Sequence, residues 1–466
     1  VSFSGLPFLL GFLPLFLCGF AVVGHCGEVW AKAWLIAVSL LFYAFGAPSF
    51  LPLLILSVAG NFWLLHRMHG SARASRWAAG GVVINLAVLV WFKYVDPRPA
   101  LGLSFFTFTQ IGCLLHHADG ETPRPRLRDY AVFATFFPAL LAGPVLNPHE
   151  TLPQFARTTG WRLTTGDFAA GSGFFLAGLL TKTLLADPLA TVVDPGFADP
   201  SGLTLFPAWQ AALSYSLQLY FDFSGYTDMA IGLAWMAGIR IPDNFDRPYR
   251  ARSVIVFWQR WHMSLTRFLV ANVHAPLTLA VLRWRKGRGW PIDAAAQRNP
   301  AGFIAMIGAP VAVTMALVAL WHGATLPFLL FGLLHTGFLL FNHAWRVCRM
   351  PALPPVASVA LTYLCVLAGA VVFRSTSVAD ARSMFAGMTG LHGTGRTEPG
   401  LSVIADGLWL LGLYAIVWFA PTARQFMTGQ GFAWRPSPHW AVALGCAATL
   451  GLLAAGGTGE FLYVRF

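Results

Sequence analysis

A histidine closes one of the most apolar stretches of this 466-residue chain. In VAVTMALVALWHGATLPFLLFGLLH, residues 311–335, His322 follows Trp321 and precedes Gly323, and Pro327 disturbs helix geometry just beyond it. An ionisable group inside hydrocarbon is costly, so each one within a membrane span is a functional candidate. A neutral imidazole in such a place can take a proton near physiological pH, as general-base catalysis requires. An interfacial histidine capped by loop groups would leave the same trace in the sequence, and position alone does not separate the two readings.

His262 is the second candidate, in FWQRWHMSLTRFLVANVHA, residues 257–275. Read as one helix, this segment places Trp258, Trp261, His262 and Leu265 on a single face at i, i+3, i+4 and i+7. It is polar for a lipid-facing span, so an interfacial or protein-buried helix is expected. A histidine in an amphipathic helix is also commonly a hydrogen-bonded structural residue. The third feature is YFDFSGYTDMAIG, residues 220–232. Asp222 and Tyr226 are one helical turn apart, as are Ser224 and Asp228, so each pair can meet on one face. The alternative is polar glue between helices, with Gly225 permitting close approach. Lys182 and Asp187 can likewise form a structural pair or line a polar tunnel. His335 and His343 are read as structural, and His149, in a loop, is placed to line an aqueous mouth although nothing singles it out.

No G-x-x-x-x-G-K-[ST], H-E-x-x-H or G-x-S-x-G motif occurs, which argues against an ATPase, a zinc protease and an elbow-type serine hydrolase. The six cysteines lie in or beside apolar runs without metal-ligand spacing, and no metal is expected. What remains is a buried histidine with no adjacent nucleophile. That suits base-assisted attack of a substrate hydroxyl on an activated acyl group.

The elements that must hold these residues belong to a membrane. Only 11% of the chain is charged and 56% is hydrophobic, whereas a soluble domain carries about 25% charged residues. Apolar runs near 5–24, 33–46 with 49–66, 79–95, 101–116, 168–186, 205–238, 301–321, 325–345, 354–373, 403–420 and 438–456 predict about 11 to 12 membrane-embedded helices. The fold class is therefore all-α, integral membrane and polytopic, and residues 1–466 are read as one domain. The first run lacks a basic leader and a small-residue cleavage site and is expected to be retained. Residues 130–147, with Pro138 and Pro144, are expected to be re-entrant. Polar or proline-broken stretches at 147–165, 239–256 and 283–300 read as connectors, and no fixed-period repeat is found.

The net charge of +12 is concentrated in short connectors: Arg67, Arg73 and Arg76; Arg124, Arg126 and Arg128; Arg283, Arg285, Lys286 and Arg288. Positive-inside bias places these in the cytoplasm and gives no reason to invoke nucleic acid.

The ordered blocks YFDFSGYTDMAIGLAWMAGIRIPDNFDRPYRARSVIVFWQRWHMSL (220–265) and Trp321–Ala324 (WHGA) closely resemble the membrane-bound O-acyltransferase (MBOAT) family, in its alginate O-acetyltransferase (AlgI-type) branch. Weaker similarity extends through 103–110, 136–145, 180–194, VVFRS (371–375) and FLYVRF (461–466). The resemblance implies a ring of tilted helices around a central funnel, with 220–335 as the catalytic core. It maps the family's catalytic histidine onto His322 and the branch's second histidine onto His262. One departure concerns 273–289, VHAPLTLAVLRWRKGRG, which lacks the Gly-Gly-Asn that usually follows the first histidine block.

The function so implied is transfer of an acyl group, acetyl in the first instance, in a bacterial inner membrane. The donor is a cytoplasmic thioester, acetyl-CoA or another, used as substrate with no bound cofactor. The acceptor is a hydroxyl of an exported polysaccharide, reached directly or through a periplasmic acetyl-relay protein, as in alginate or other exopolysaccharide acetylation. His322 is the expected base and His262 its catalytic companion. Trp321, Trp261 and Trp258, with Asp222, Ser224, Tyr226 and Asp228, are the expected tunnel or supporting residues, and membrane lipids are expected neighbours. Transfer of D-alanine or another acyl group from a carrier-protein thioester, and a non-catalytic polysaccharide-export permease, are the rival readings.

Overall fold

A computed structural model describes residues 2–96, 101–120, 124–395, 401–429, 437–455 and 462, with backbone only over 401–405. Of the sequence features above, 461–466 lies outside the described residues except for Leu462. Among those described, the regular structure is helical, and the sole β feature is an isolated antiparallel bridge between Phe245 and Trp261.

Nine of the described helices are long and apolar enough to cross a membrane. They are Phe8–Cys26, Glu28–Gly46, Pro48–Met68, Ala74–Val95, Thr165–Ala198, Met263–Gly287, Pro300–His322, Leu326–Val347 and Pro355–Arg374, with shorter apolar helices at Asp406–Phe419 and Pro438–Ala454. The paired run 33–66 thus resolves into two helices separated at Ala47. Two expected spans are helical but not of this kind. Leu103–Ala118 is buried along nearly its whole length. Leu205–Met236 carries buried Ser214, Ser216, Gln218, Asp222, Ser224 and Thr227, which need protein partners rather than lipid.

Two local expectations change, and a third stretch gains detail. The stretch 257–275 is not one amphipathic helix: Val254–Arg260 ends, Trp261 is extended, and Met263–Gly287 begins a long apolar helix with few fully buried residues. No Gly or Pro marks this break, because a tertiary pairing makes it. Residues 147–165 are not all loop, since Pro148–Ala156 is helical, its start capped by the Asn147 side chain accepting from His149 N–H at 2.9 Å. In 130–147, short helices Leu127–Thr135 and Phe137–Leu140 give way to irregular backbone that is buried by protein, the condition under which such backbone survives at membrane depth.

The chain divides into two compact units. One takes in Val1–Leu184, Asp222–Asn244 and Pro421–Arg465. Its core is rich in phenylalanine: Phe3 stacks on Phe42 and Tyr226 at 5.5 and 4.7 Å, and Phe16 meets Phe137 edge-on at 5.1 Å. Thr165–Leu180 crosses the second half of Leu205–Met236 backbone to backbone. A Cβ on Gly178 would stand 2.4 Å from the Gly225 carbonyl oxygen, and one on Gly232 would stand 2.5 Å from that of Gly171. Small residues permit such an approach and larger ones would forbid it.

The other unit takes in Leu185–Phe221 and Phe245–Ala420 and contains both motif histidines. Its framework near them is Ala309–His322, Leu326–Val347 and Pro355–Arg374. A Cβ on Gly332 would fall 2.7 Å from that of Ala319 and 3.0 Å from the Met315 carbonyl oxygen, so the first two helices pack closely. Val254, Val311, Met315, Val318, Phe331, Val372 and Phe373 fill the core between these elements.

Candidate active site

His322 is the last residue of its helix, which stops because Gly323 turns extended. The imidazole is 9% exposed and sits in an aromatic shell. Phe373 meets it edge-on at 4.7 Å, Phe331 edge-on at 6.3 Å, and Phe328 lies at 5.9 Å. Gly323 makes room for this shell: a Cβ there would lie 2.9 Å from the Phe328 ring. The Trp321 ring lies 4.5 Å from His322 and 6.3 Å from His262, so one indole adjoins both histidines.

His262 is placed by the break in its segment. Ser253 caps Val254–Arg260, accepting from Val256 N–H at 3.2 Å, and Asn342 Oδ1 accepts from Val254 N–H at 2.7 Å. Trp261 then runs extended against Phe245, and Asp246 N–H donates to the Arg260 carbonyl at 3.1 Å. His262 follows with φ 44°, ψ 52°, and its carbonyl accepts from Thr266 N–H at 3.0 Å to start the next helix. A left-handed non-glycine residue costs on the order of 1–3 kcal/mol and persists only where its surroundings over-determine it. Here the Trp261 ring is held by Phe245 edge-on at 5.0 Å and by near-parallel Phe257 and Tyr249 at 5.6 and 6.4 Å.

Trp258 lies in the wall behind. Its Nε1–H donates to His335 Nδ1 at 3.3 Å, which assigns the single N–H proton of a neutral His335 to Nε2. His335 in turn packs on Phe331 at 4.6 Å, and Gly369 fits under it where a Cβ would come 2.4 Å from Nε2. His262, Trp261, Trp258, Trp321 and His322 thus belong to one packed cluster within one unit.

Asp222, Ser224, Tyr226 and Asp228 belong to the first unit. Asp222 pairs with buried Lys182 at 2.6 Å, and its Oδ2 accepts from Leu462 N–H at 2.9 Å. Tyr226 stacks on Phe3, Ser224 is buried, and Asp228 is half-buried. Lys182, read in sequence as a possible mate of Asp187, has this longer-range partner in Asp222.

Sequence reasoning assigned no role to Phe328, Phe331 or Phe373, which enclose His322, nor to Tyr249 beneath Trp261. Phe373 was within reach, since VVFRS was among the matching segments, but nothing in an apolar helix tells which phenylalanine faces an imidazole.

The sequence pattern of the membrane-bound O-acyltransferase family matches residues 75–288. That span includes the His262 turn, and His322 lies beyond it. A peptidoglycan O-acetyltransferase of Helicobacter pylori is 31% identical over 439 residues, covering 83% of this chain and 79% of that protein. A probable alginate O-acetylase of Pseudomonas syringae pv. tomato is 35% identical over 413 residues, covering 83% and 74%. A teichoic acid D-alanyltransferase of Streptococcus thermophilus is 26% identical, covering 53% and 57%. The chain belongs to the membrane-bound O-acyltransferase family. It is a multi-pass membrane protein and an O-acyltransferase.

Proposed function

We infer that the chain moves an acetyl group from a cytoplasmic thioester, acetyl-CoA in the first instance, to a hydroxyl of an exported polysaccharide, directly or through a periplasmic partner, with His322 as general base. The observation that carries this reading is the burial of one imidazole at a helix end, enclosed by Phe328, Phe331 and Phe373 and sharing Trp321 with His262. The acceptor oxygen gives its proton to His322 as it attacks the thioester carbonyl. The C–S bond then breaks and the imidazolium returns the proton to the departing sulfur. The aromatic shell excludes water, which would otherwise compete with the acceptor. His262 supports the site from the far side of Trp321, and Trp261 and Trp258 hold its wall. Asp222, Ser224, Tyr226 and Asp228 act as supporting residues of the fold through the glycine crossing and the Lys182 pair. The bacterial inner membrane is the setting that such a donor and acceptor imply.

The acceptor class rests on relatives named for peptidoglycan and alginate, both carbohydrate polymers. The similarity to teichoic acid D-alanyltransferases favours one alternative, D-alanyl as the group moved, for which a carrier-protein thioester is the donor we propose. Purified protein in lipid discs, given acetyl-labelled acetyl-CoA with and without candidate glycans, tests the reading. Release of CoA with label on a glycan, or on an added periplasmic partner, is expected. Turnover of a carrier thioester alone would move the donor assignment, and consumption of neither would contradict acyl transfer by this chain.

A further inference from the structure

The long apolar helix Met263–Gly287 ends in a cationic and aromatic platform. Arg283, Trp284, Lys286 and Arg288 are all exposed there. Gly289, at φ +71°, turns the chain back, and Trp290 N–H donates to the Arg285 carbonyl at 3.0 Å. Buried Arg285 locks the return by donating from Nη2 and Nε to the Pro291 carbonyl at 2.9 and 3.2 Å. The turn brings Trp290 edge-on to Trp284 at 5.1 Å, and the Arg288 guanidinium lies 4.7 and 5.6 Å from their two ring centres. Two indoles thus flank one guanidinium, whose N–H edges stay available for an anion. Among the described residues no carboxylate comes within ion-pairing distance of Arg283, Lys286 or Arg288, and Asp293 is engaged in capping, accepting from Ala296 N–H at 2.8 Å.

We propose that this platform binds the phosphate of an anionic phospholipid headgroup. The helix supplies the argument for lipid over any other phosphate. Its 25 residues extend about 37 Å, past a hydrocarbon core of about 30 Å. Few of its residues are fully buried and its last turns are exposed at Arg283, Trp284 and Lys286, so its end is delivered to the headgroup layer beside exposed tryptophans, which favour that layer. The platform lies within and just after 273–289, the stretch that departs from the branch's usual sequence, so it is a property of this chain's own residues. It stands independently of the acyl-transfer reading.

Native mass spectrometry of the detergent-purified full chain, titrated with phosphatidylglycerol or phosphatidylcholine, tests it. Phosphatidylglycerol should be retained on the order of 10–100-fold better, as expected for three cations near a charged lipid. The variant Arg283→Gln/Lys286→Gln/Arg288→Gln should lose that preference. Trp284→Ala should weaken it while keeping every charge. Thermal unfolding in detergent checks that each variant is folded, and if the triple variant is not, Arg288→Gln alone should still reduce retention several-fold. Equal retention of the two lipids, a preference that survives in the triple variant, or displacement of the lipid by millimolar inorganic phosphate would overturn the proposal.

Discussion

At the scale of single residues the question is why two histidines that touch the same indole should differ in role. His322 sits in an aromatic shell at a helix end, where a substrate hydroxyl can be held away from water. His262 occupies a left-handed turn whose shape is imposed by the Phe245–Trp261 bridge. If His262 only supports the site, His262→Ala should retain more transfer than His322→Ala at matched expression, and equal complete loss would make His262 a partner in the chemistry. His262→Asn, which tolerates the left-handed region better than alanine, should be the more stable of the two His262 variants. Thermal unfolding in detergent would show this, and a reversed order would mean that backbone strain is not what the position costs. Trp258→Phe keeps the ring but deletes the donor to His335 Nδ1. Leaving that acceptor buried should cost about 1–3 kcal/mol of stability, read from the same melts, with little effect if the bond is unimportant. Both histidines were visible in the sequence because polar residues stand out against apolar runs. Their shells were not, because phenylalanines in apolar helices carry no sign of which neighbour they face.

At the scale of elements the sequence was most legible where the pattern is long and monotonous. Apolar runs announced most of the spans, and Gly225 announced the close helix crossing that the structure places against Gly178. It was least legible where a tertiary contact overrides a local pattern. Residues 257–275 keep helical composition throughout, and only the pairing of Trp261 with Phe245 breaks the helix at His262. Lys182 and Asp222 give the same lesson: their sequence separation conceals a pair 2.6 Å apart. Removing one member of a buried pair strands the other charge, at a cost of about 3–5 kcal/mol. Lys182→Met should therefore lower the unfolding temperature sharply, and Lys182→Met/Asp222→Leu should recover much of the loss. A double variant no better than the single would mean that the pair's role is not mutual neutralisation. Gly178→Val should be similarly damaging, since its side chain has no room beside the Gly225 carbonyl.

At the scale of the whole molecule, the proposed function takes its orientation from charge patterning and its chemistry from the buried imidazole. The basic connectors 66–78 and 283–300 should both face the cytoplasm. Cysteines introduced at exposed Arg73 and Arg288 should then resist impermeant labelling from the periplasmic side, and labelling at either would invert the orientation. The proposed donor and acceptor lie on opposite sides of the membrane, and His322 is the last residue of the membrane-length helix Pro300–His322. The most direct test is the variant His322→Gln, correctly inserted and assayed in lipid discs for both donor binding and transfer to a hydroxyl acceptor. Glutamine retains hydrogen bonding but cannot take up the proton, so transfer should fall by about 10²–10⁴-fold while labelled donor still binds. Transfer near the wild-type rate would contradict general-base catalysis by His322, and loss of donor binding would contradict it equally by making His322 a binding residue.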